Sequence, residues 1–449
     1  MPPSRSVGAR IFRATAAVIA AGIAVKAAAT LKEFVVAGIY GRSDAMDAFL
    51  VALLIPNLLI NVFGESMSQA LVPTLVRVRV QQGRERAAQL LSRSMVSLCL
   101  LLTLACVVMA AGARLLFPLI GSNFNAAKID LSIHLFYVLL PVVILGGLAA
   151  NLTSVLNTAE KFALPALAPL AITAATIAGT LVLHRSLGIW ALAYATVAGF
   201  ALHLLLVGGM MRGQGLGLQL RGWSAMPESR EVARQYGPVV FSAVVASAGL
   251  LVDQAMAAML PAGSVSALVF AGRFVSVAVS LLGGAVASAV TPYFSDMAAH
   301  RDWELCRASI RKAVRTMALI SVPLAMGLMA VSRPLVRLVL EHGAFTAKDT
   351  AVVAPTLAMY AIQIPFFVVS RIHYRHLLAV RRTDLILYCG AINLILDIGL
   401  NLVLMRYLGV AGIALATSIW SIGTFAFLWF WSRRILAAAI QSAPARVLE

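Results

Sequence analysis

Ionisable side chains set inside long apolar runs carry whatever chemistry this sequence performs. Lys26, Lys32 and Glu33 lie in one such run and Asn57, Asn61 and Glu65 in the next. Asp253, Arg273 and Asp397 lie in three later ones. A charge at the centre of a bilayer costs about 2.5–3.5 kcal/mol on insertion scales, so each of these groups is expected to face protein or water and to mark a site. Helical spacing puts Lys26 and Glu33 on one stripe, seven residues apart, with Lys32 to its side. Asn57, Asn61 and Glu65 follow at i, i+4 and i+8, and Arg273, Ser276 and Ser280 at i, i+3 and i+7, two polar rows suited to lining water or a partner helix. Pro56 removes a backbone donor just before the first row and is expected to kink that helix as a gate element. Three intramembrane cations from both halves of the chain favour attraction of a negative group. The competing reading is that Lys26, Glu33, Glu65 and Arg273 are ion pairs that only fix packing. Asp397, with Asn393 and Asn401 one turn to either side, is expected to make interhelical hydrogen bonds, and His134 and His203 to be packing or interfacial groups.

These residues need helices that cross a membrane to hold them. Of the 449 residues 61% are hydrophobic and only 12% charged, with a mean hydropathy of +0.91, which excludes an ordinary soluble domain. Twelve spans are expected, near 14–40, 46–76, 94–119, 130–156, 163–184, 187–211, 235–260, 264–294, 313–340, 350–378, 383–406 and 409–432. The net charge of +18 does not indicate a nucleic-acid partner, because the 36 Lys and Arg follow the loops. With the N-terminus in the cytoplasm, the tails and even-numbered connections, counted with the span ends beside them, hold 25 of them and the opposite side eight, which predicts a multi-pass inner-membrane protein with both termini cytoplasmic. The first apolar run is read as a retained span rather than a cleaved signal.

The Gly-rich break from Arg212 to Arg234 divides six spans from six and predicts an N-terminal lobe over 1–220 and a C-terminal lobe over 221–449. A repeat supports the division: Leu187-Gly-Ile-Trp-Ala-Leu-Ala-Tyr-Ala-Thr196 matches Leu408-Gly-Val-Ala-Gly-Ile-Ala-Leu-Ala-Thr417. Even span numbers make this a parallel repeat, the plan of many secondary transporters. Cys99, Cys106, Cys306 and Cys389 have no metal-ligand spacing and read as structural thiols. There is no phosphate-cradling glycine loop and no His-Glu-x-x-His, so neither a cofactor, a metal nor an enzyme activity is expected.

The stretches Lys32-Glu-Phe, Asp47-Ala-Phe-Leu-Val-Ala-Leu-Leu-Ile-Pro-Asn-Leu-Leu59 and Gly64-Glu-Ser-Met-Ser-Gln-Ala-Leu-Val-Pro73 resemble the signature of the lipid II flippase family (MurJ/MviN) of the multidrug/oligosaccharidyl-lipid/polysaccharide exporter superfamily. Gly263-Ser-Val-Ser-Ala-Leu-Val-Phe-Ala-Gly-Arg-Phe274, Glu341-His-Gly-Ala-Phe-Thr-Ala-Lys-Asp-Thr350 and Leu408 to Thr417 agree with it. The resemblance implies two six-helix lobes around a cavity, alternating access, and a lipid-linked anionic glycan as substrate, with membrane lipids as the other partner. Lys26, Lys32 and Arg273 match cavity positions at which family members carry essential arginines, and Glu33, Asp47 and Glu65 match acidic positions. Ile60 and Asn61 stand where an arginine pair is common, and Gly272 where an aspartate precedes the span 8 arginine. Typical members also carry two helices beyond the twelve expected here. Lysine keeps the charge of arginine but not its two-pronged fit to phosphate oxygens. The alternatives are a cation-coupled multidrug exporter using Asp253, Asp397 or Glu33, a surface-polysaccharide flippase, and a membrane scaffold.

Overall fold

Apolar runs with few breakers fold as helices because a backbone in hydrocarbon must satisfy its own hydrogen bonds. The computed structural model describes residues 4–158, 163–212, 226–299, 302–380 and 382–442, and among them every regular element is helical. In chain order these are α1 (Ser4–Tyr40), α2 (Asp44–Leu59), a π-helical segment (Ile60–Glu65), α3 (Ser66–Gln81), α4 (Arg84–Ile120), α5 (Ala126–Asn157), α6 (Ala163–Leu167), α7 (Leu170–Leu187) and α8 (Ile189–Arg212). They continue as α9 (Pro227–Ala258), α10 (Ser264–Ala299), α11 (Trp303–Ala330), α12 (Ser332–Leu340), α13 (Ala347–Ala361), α14 (Gln363–Ala379), α15 (Thr383–Leu408) and α16 (Val410–Ser442). Eleven described segments are long and apolar enough to cross a bilayer, and α1 stands where the first expected span falls. The expected span at 313–340 is interrupted: α11 stops at Ala330, and Ser332-Arg-Pro334 opens the short α12, proline being tolerated in a first turn. Part of the expected break between Arg212 and Arg234 lies outside the described residues, and α9 already begins at Pro227.

Two compact units divide the chain: Met1–Leu251 with Pro261–Gly263, and Val252–Leu260 with Ser264–Glu449. In the first unit α5 packs against α2, α4 and α8, and α1 lies on α6 and α7. Its core includes Leu98, Phe117, Phe136 and Leu139, all essentially inaccessible, with the Phe117 and Phe136 rings 5.3 Å apart. In the second unit α10, α13, α14 and α16 pack together and α15 lies on α16. Phe270 and Phe345 meet there at 6.2 Å, and Leu377, Leu385, Cys389 and Leu428 form an apolar cluster.

The sequence repeat has a backbone counterpart. Gly188 ends α7 at φ 56°, ψ −132°, and Gly409 ends α15 at φ 56°, ψ −133°, a conformation that a Cβ disfavours. Each reverses the chain between two consecutive long helices in one step.

The π-helical segment rests on a close backbone approach. A Cβ added to Gly64 would lie 2.8 Å from the Cα of Gly147 on α5, where the obstacle is backbone rather than a movable side chain. Gly64→Val is therefore expected to destabilise the first unit by about 2–3 kcal/mol, within the usual range for overpacking. Thermal melting of the purified variant in detergent checks this, and an unchanged midpoint would mean that the two helices separate without cost.

Candidate functional site

On α1, Lys26 is exposed, Lys32 half-buried and Glu33 buried. Although seven residues separate Lys26 from Glu33, Glu33 turns inward and pairs with its neighbour Lys32 at 3.2 Å. Lys26 has no ion pair among the described residues. This lysine is thus an unneutralised cation on an apolar helix, whereas Lys32 carries a partner beside it.

Pro56 is buried inside α2, and the helix runs on through it to Leu59. The departure from α geometry comes at Ile60–Glu65, where the chain takes a π turn. Side chains from two neighbouring helices donate to carbonyls of this segment. The Tyr236 hydroxyl donates to the Phe63 carbonyl at 3.1 Å, and the Asn151 amide donates to the Gly64 carbonyl at 3.0 Å. Asn57, Asn61 and Glu65 are all exposed and fall in line, and Gln69 continues their row. Gln69 escapes the sequence reading, which ends the row at Glu65, although the four-residue spacing points to it.

Asp47, near the start of α2, is only 1% exposed. It accepts hydrogen bonds from the Lys128 ammonium at 3.0 Å and the Gly263 amide at 2.7 Å, while the Arg42 guanidinium donates to the Gly263 carbonyl at 2.9 Å. Lys128 is 6% exposed, pairs also with Asp44 at 2.6 Å and stands 4.0 Å from the centre of the Phe124 ring. From sequence Lys128 reads as a loop cation. Its burial is set by the helix cap at Asn125, whose side chain accepts from the Lys128 amide and starts α5 against α2.

In the second unit Asp253 and Asp397 are both buried and are joined through Asn401, whose amide donates to Asp253 at 2.8 Å and to Asp397 at 3.3 Å. The Thr417 hydroxyl lies 3.2 Å from Asp253. The Oδ1 atom of Asn401 is buried without a hydrogen-bond partner, so the cluster is rich in acceptors and poor in donors. Such a cluster suits a proton or a small cation. Asn393 donates to Thr424 on α16 at 2.7 Å, a second interhelical bond from α15. Arg273 is exposed on α10, with Ser276 donating to its carbonyl at 2.8 Å. Lys26 and Lys32 belong to the first unit and Arg273 to the second. His203 is buried with both ring nitrogens unpartnered among the described residues, and His134 is exposed beside Asp130. The buried pair His373 and His376, bridged by the Ser432 hydroxyl at 3.1 and 3.0 Å, escapes the sequence reading because nothing in their i, i+3 spacing reveals a partner on α16. Among the described residues no group of three or more His, Cys, Asp or Glu could hold a metal ion.

Long apolar helices that carry aligned polar rows, an exposed lysine and buried carboxylates define a multi-pass membrane protein of the transporter class. The profile of the family described as lipid II flippase MurJ matches residues 36–448, and the chain belongs to that family. Similar curated proteins include the lipid II flippase MurJ of Burkholderia cenocepacia, 28% identical over 81% of this chain and 72% of the relative. The probable lipid II flippase MurJ of Synechocystis is 24% identical over 98% of this chain and 85% of its own. Among solved structures, one of lipid II flippase MurJ in an inward closed conformation has a TM-score of 0.81 at 24% identity, covering 96% of this chain and 93% of that one. An inward-facing multidrug resistance MATE transporter of the MOP superfamily has a TM-score of 0.80 at 16% identity, covering 93% and 96%. The two likenesses agree on the fold.

Proposed function

We propose that this protein is a flippase that carries an isoprenoid-pyrophosphate-linked glycan, lipid II or a related cell-envelope intermediate, across the bacterial inner membrane by alternating access. The observation that carries the reading is Lys26, an exposed cation without an acidic partner among the described residues, on a helix of a chain that belongs to the lipid II flippase family. A pyrophosphate is costly to desolvate, since even one uncompensated ion costs several kcal/mol to bury, and fixed cations lower that barrier. Lys26, Lys32 and Arg273 attract the pyrophosphate, Glu33 orients Lys32, and Asn57, Asn61 and Glu65 supply polar contacts. Asp47, Pro56, Asp253 and Asp397 serve gating or structural ends. No catalytic step is required of any of them. Both termini lie in the cytoplasm, which the loop asymmetry of Lys and Arg supports.

The test is expression in cells depleted of their own lipid II flippase. The wild-type chain should restore growth. Lys26→Ala should lose rescue at normal membrane levels, with transport down about 10- to 100-fold for one lost charge-assisted contact, and Lys26→Arg should keep it. Full rescue by Lys26→Ala at normal membrane levels would leave Lys26 no part in attracting the substrate. The buried Asp253 and Asp397 pair favours a second reading, a cation-coupled drug exporter. Binding of cationic drugs in a pH-dependent manner, with no binding of isoprenoid pyrophosphate, would establish it.

A further inference from the structure

Between Asn57 and Pro73 every fourth residue is exposed and no residue between them is. Four of these five positions are polar: Asn57, Asn61, Glu65 and Gln69. In a plain α-helix each four-residue step advances by about 40°, so Gln69 would stand roughly 120° round from Asn57. The π turn at Ile60–Glu65 accommodates one additional residue and withdraws about 100° of that lead. The four side chains therefore form one straight row roughly 18 Å long, at about 1.5 Å per residue. None of them has a hydrogen bond or ion pair among the described residues. The π turn is held from other sides, by Tyr236 and Asn151 on its carbonyls and by Gly147 against Gly64.

Unpartnered amides and a carboxylate on a membrane-spanning helix do not face lipid. Their chemistry also selects what they face. Amide side chains donate and accept, a carboxylate accepts, and the row contains no cation. A phosphate would be repelled by Glu65 and would find no cation to balance its charge, whereas hydroxyl and amide groups find both donors and acceptors along the whole length. We infer that this row binds the glycan of the lipid-linked substrate, apart from the cations that attract its pyrophosphate, and that the π turn keeps the row straight. The inference rests on the flippase reading and assigns the row to one part of that substrate.

The experiment compares two probes on the purified, full-length protein: lipid II, and isoprenoid pyrophosphate bearing no sugar. The variants are Asn61→Ala with Gln69→Ala, and separately Glu65→Gln, each checked for wild-type membrane level and melting. Wild-type protein should bind lipid II more tightly than the sugar-free lipid. The double variant should weaken lipid II binding about tenfold, equal to ~1.4 kcal/mol, and leave the sugar-free lipid unchanged. Glu65→Gln should have a smaller effect of the same selectivity. Equal loss for both probes, no loss for either, or equal wild-type affinity for the two lipids would each overturn the glycan assignment while leaving the flippase reading in place. A wild-type protein that binds neither lipid overturns both.

Discussion

Asp47→Ala is expected to be the most damaging single substitution in the first unit, lowering the apparent melting temperature on the order of 10 °C. The side chain is a buried acceptor for two donors at once, the Lys128 ammonium and the Gly263 amide. Truncation leaves a buried cation with only Asp44, a residue whose side chain is 58% exposed, and leaves the Gly263 N–H without its carboxylate. Breaking a buried pair from one side costs about 3–5 kcal/mol, and a domain of this size loses roughly 2–4 °C per kcal/mol. Asp44→Ala should cost no more than about 1 kcal/mol, because an exposed partner is well screened. Adding Lys128→Met to Asp47→Ala should recover part of the loss, since no charge is then left stranded. Thermal unfolding of the four proteins in one detergent decides it, and equal melting of the Asp44 and Asp47 variants would refute the assignment. Asp47 and Arg42 together hold the Gly263 peptide from both sides, at its N–H and at its carbonyl.

Unlike outcomes are expected from two substitutions in the carboxylate cluster of the second unit. Asn401→Leu removes the one amide that donates to both Asp253 and Asp397, and should destabilise by about 3 kcal/mol or more, because buried charged acceptors lose their donor. Asp397→Asn instead replaces one of two crowded carboxyl groups with a neutral amide that adds a donor, and should be neutral or stabilising. Melting of the purified variants checks both. A shift in the same direction for the two would show that the carboxylates do not repel one another in the folded protein.

Much of this architecture was legible in the residues, for reasons that differ from element to element. Span positions follow from apolar length, which the bilayer fixes, and the Gly188 and Gly409 turns follow from a repeat that needs glycine at one position. The interhelical bonds of α15 come from Asn393 and Asn401, one turn to either side of Asp397, which itself accepts from Asn401 on the same helix. What spacing did not reveal was which partner each group takes. Glu33 turns to Lys32 at the next position rather than to the stripe of Lys26, since a buried carboxylate takes the nearest cation that reaches it. Lys128 reads as a loop charge until the Asn125 cap sets where α5 begins. Pro56 is an audible signal for a break, yet the irregularity falls at Ile60–Glu65, where no residue type announces a π turn and the reason lies in packing across Gly64 and Gly147.

The π turn also bears on ancestry. One residue inserted into an α-helix would swing everything after it by about 100° and turn the buried face outward. When the surplus residue is absorbed within six positions, the flanks stay in phase and the insertion becomes tolerable. Relatives with a plain α-helix here should align with this chain through a single-residue gap between Pro56 and Pro73, with the buried positions on both sides matching in kind. The segment is then a place where the lineage could change the reach and spacing of one polar face without rebuilding the core behind it.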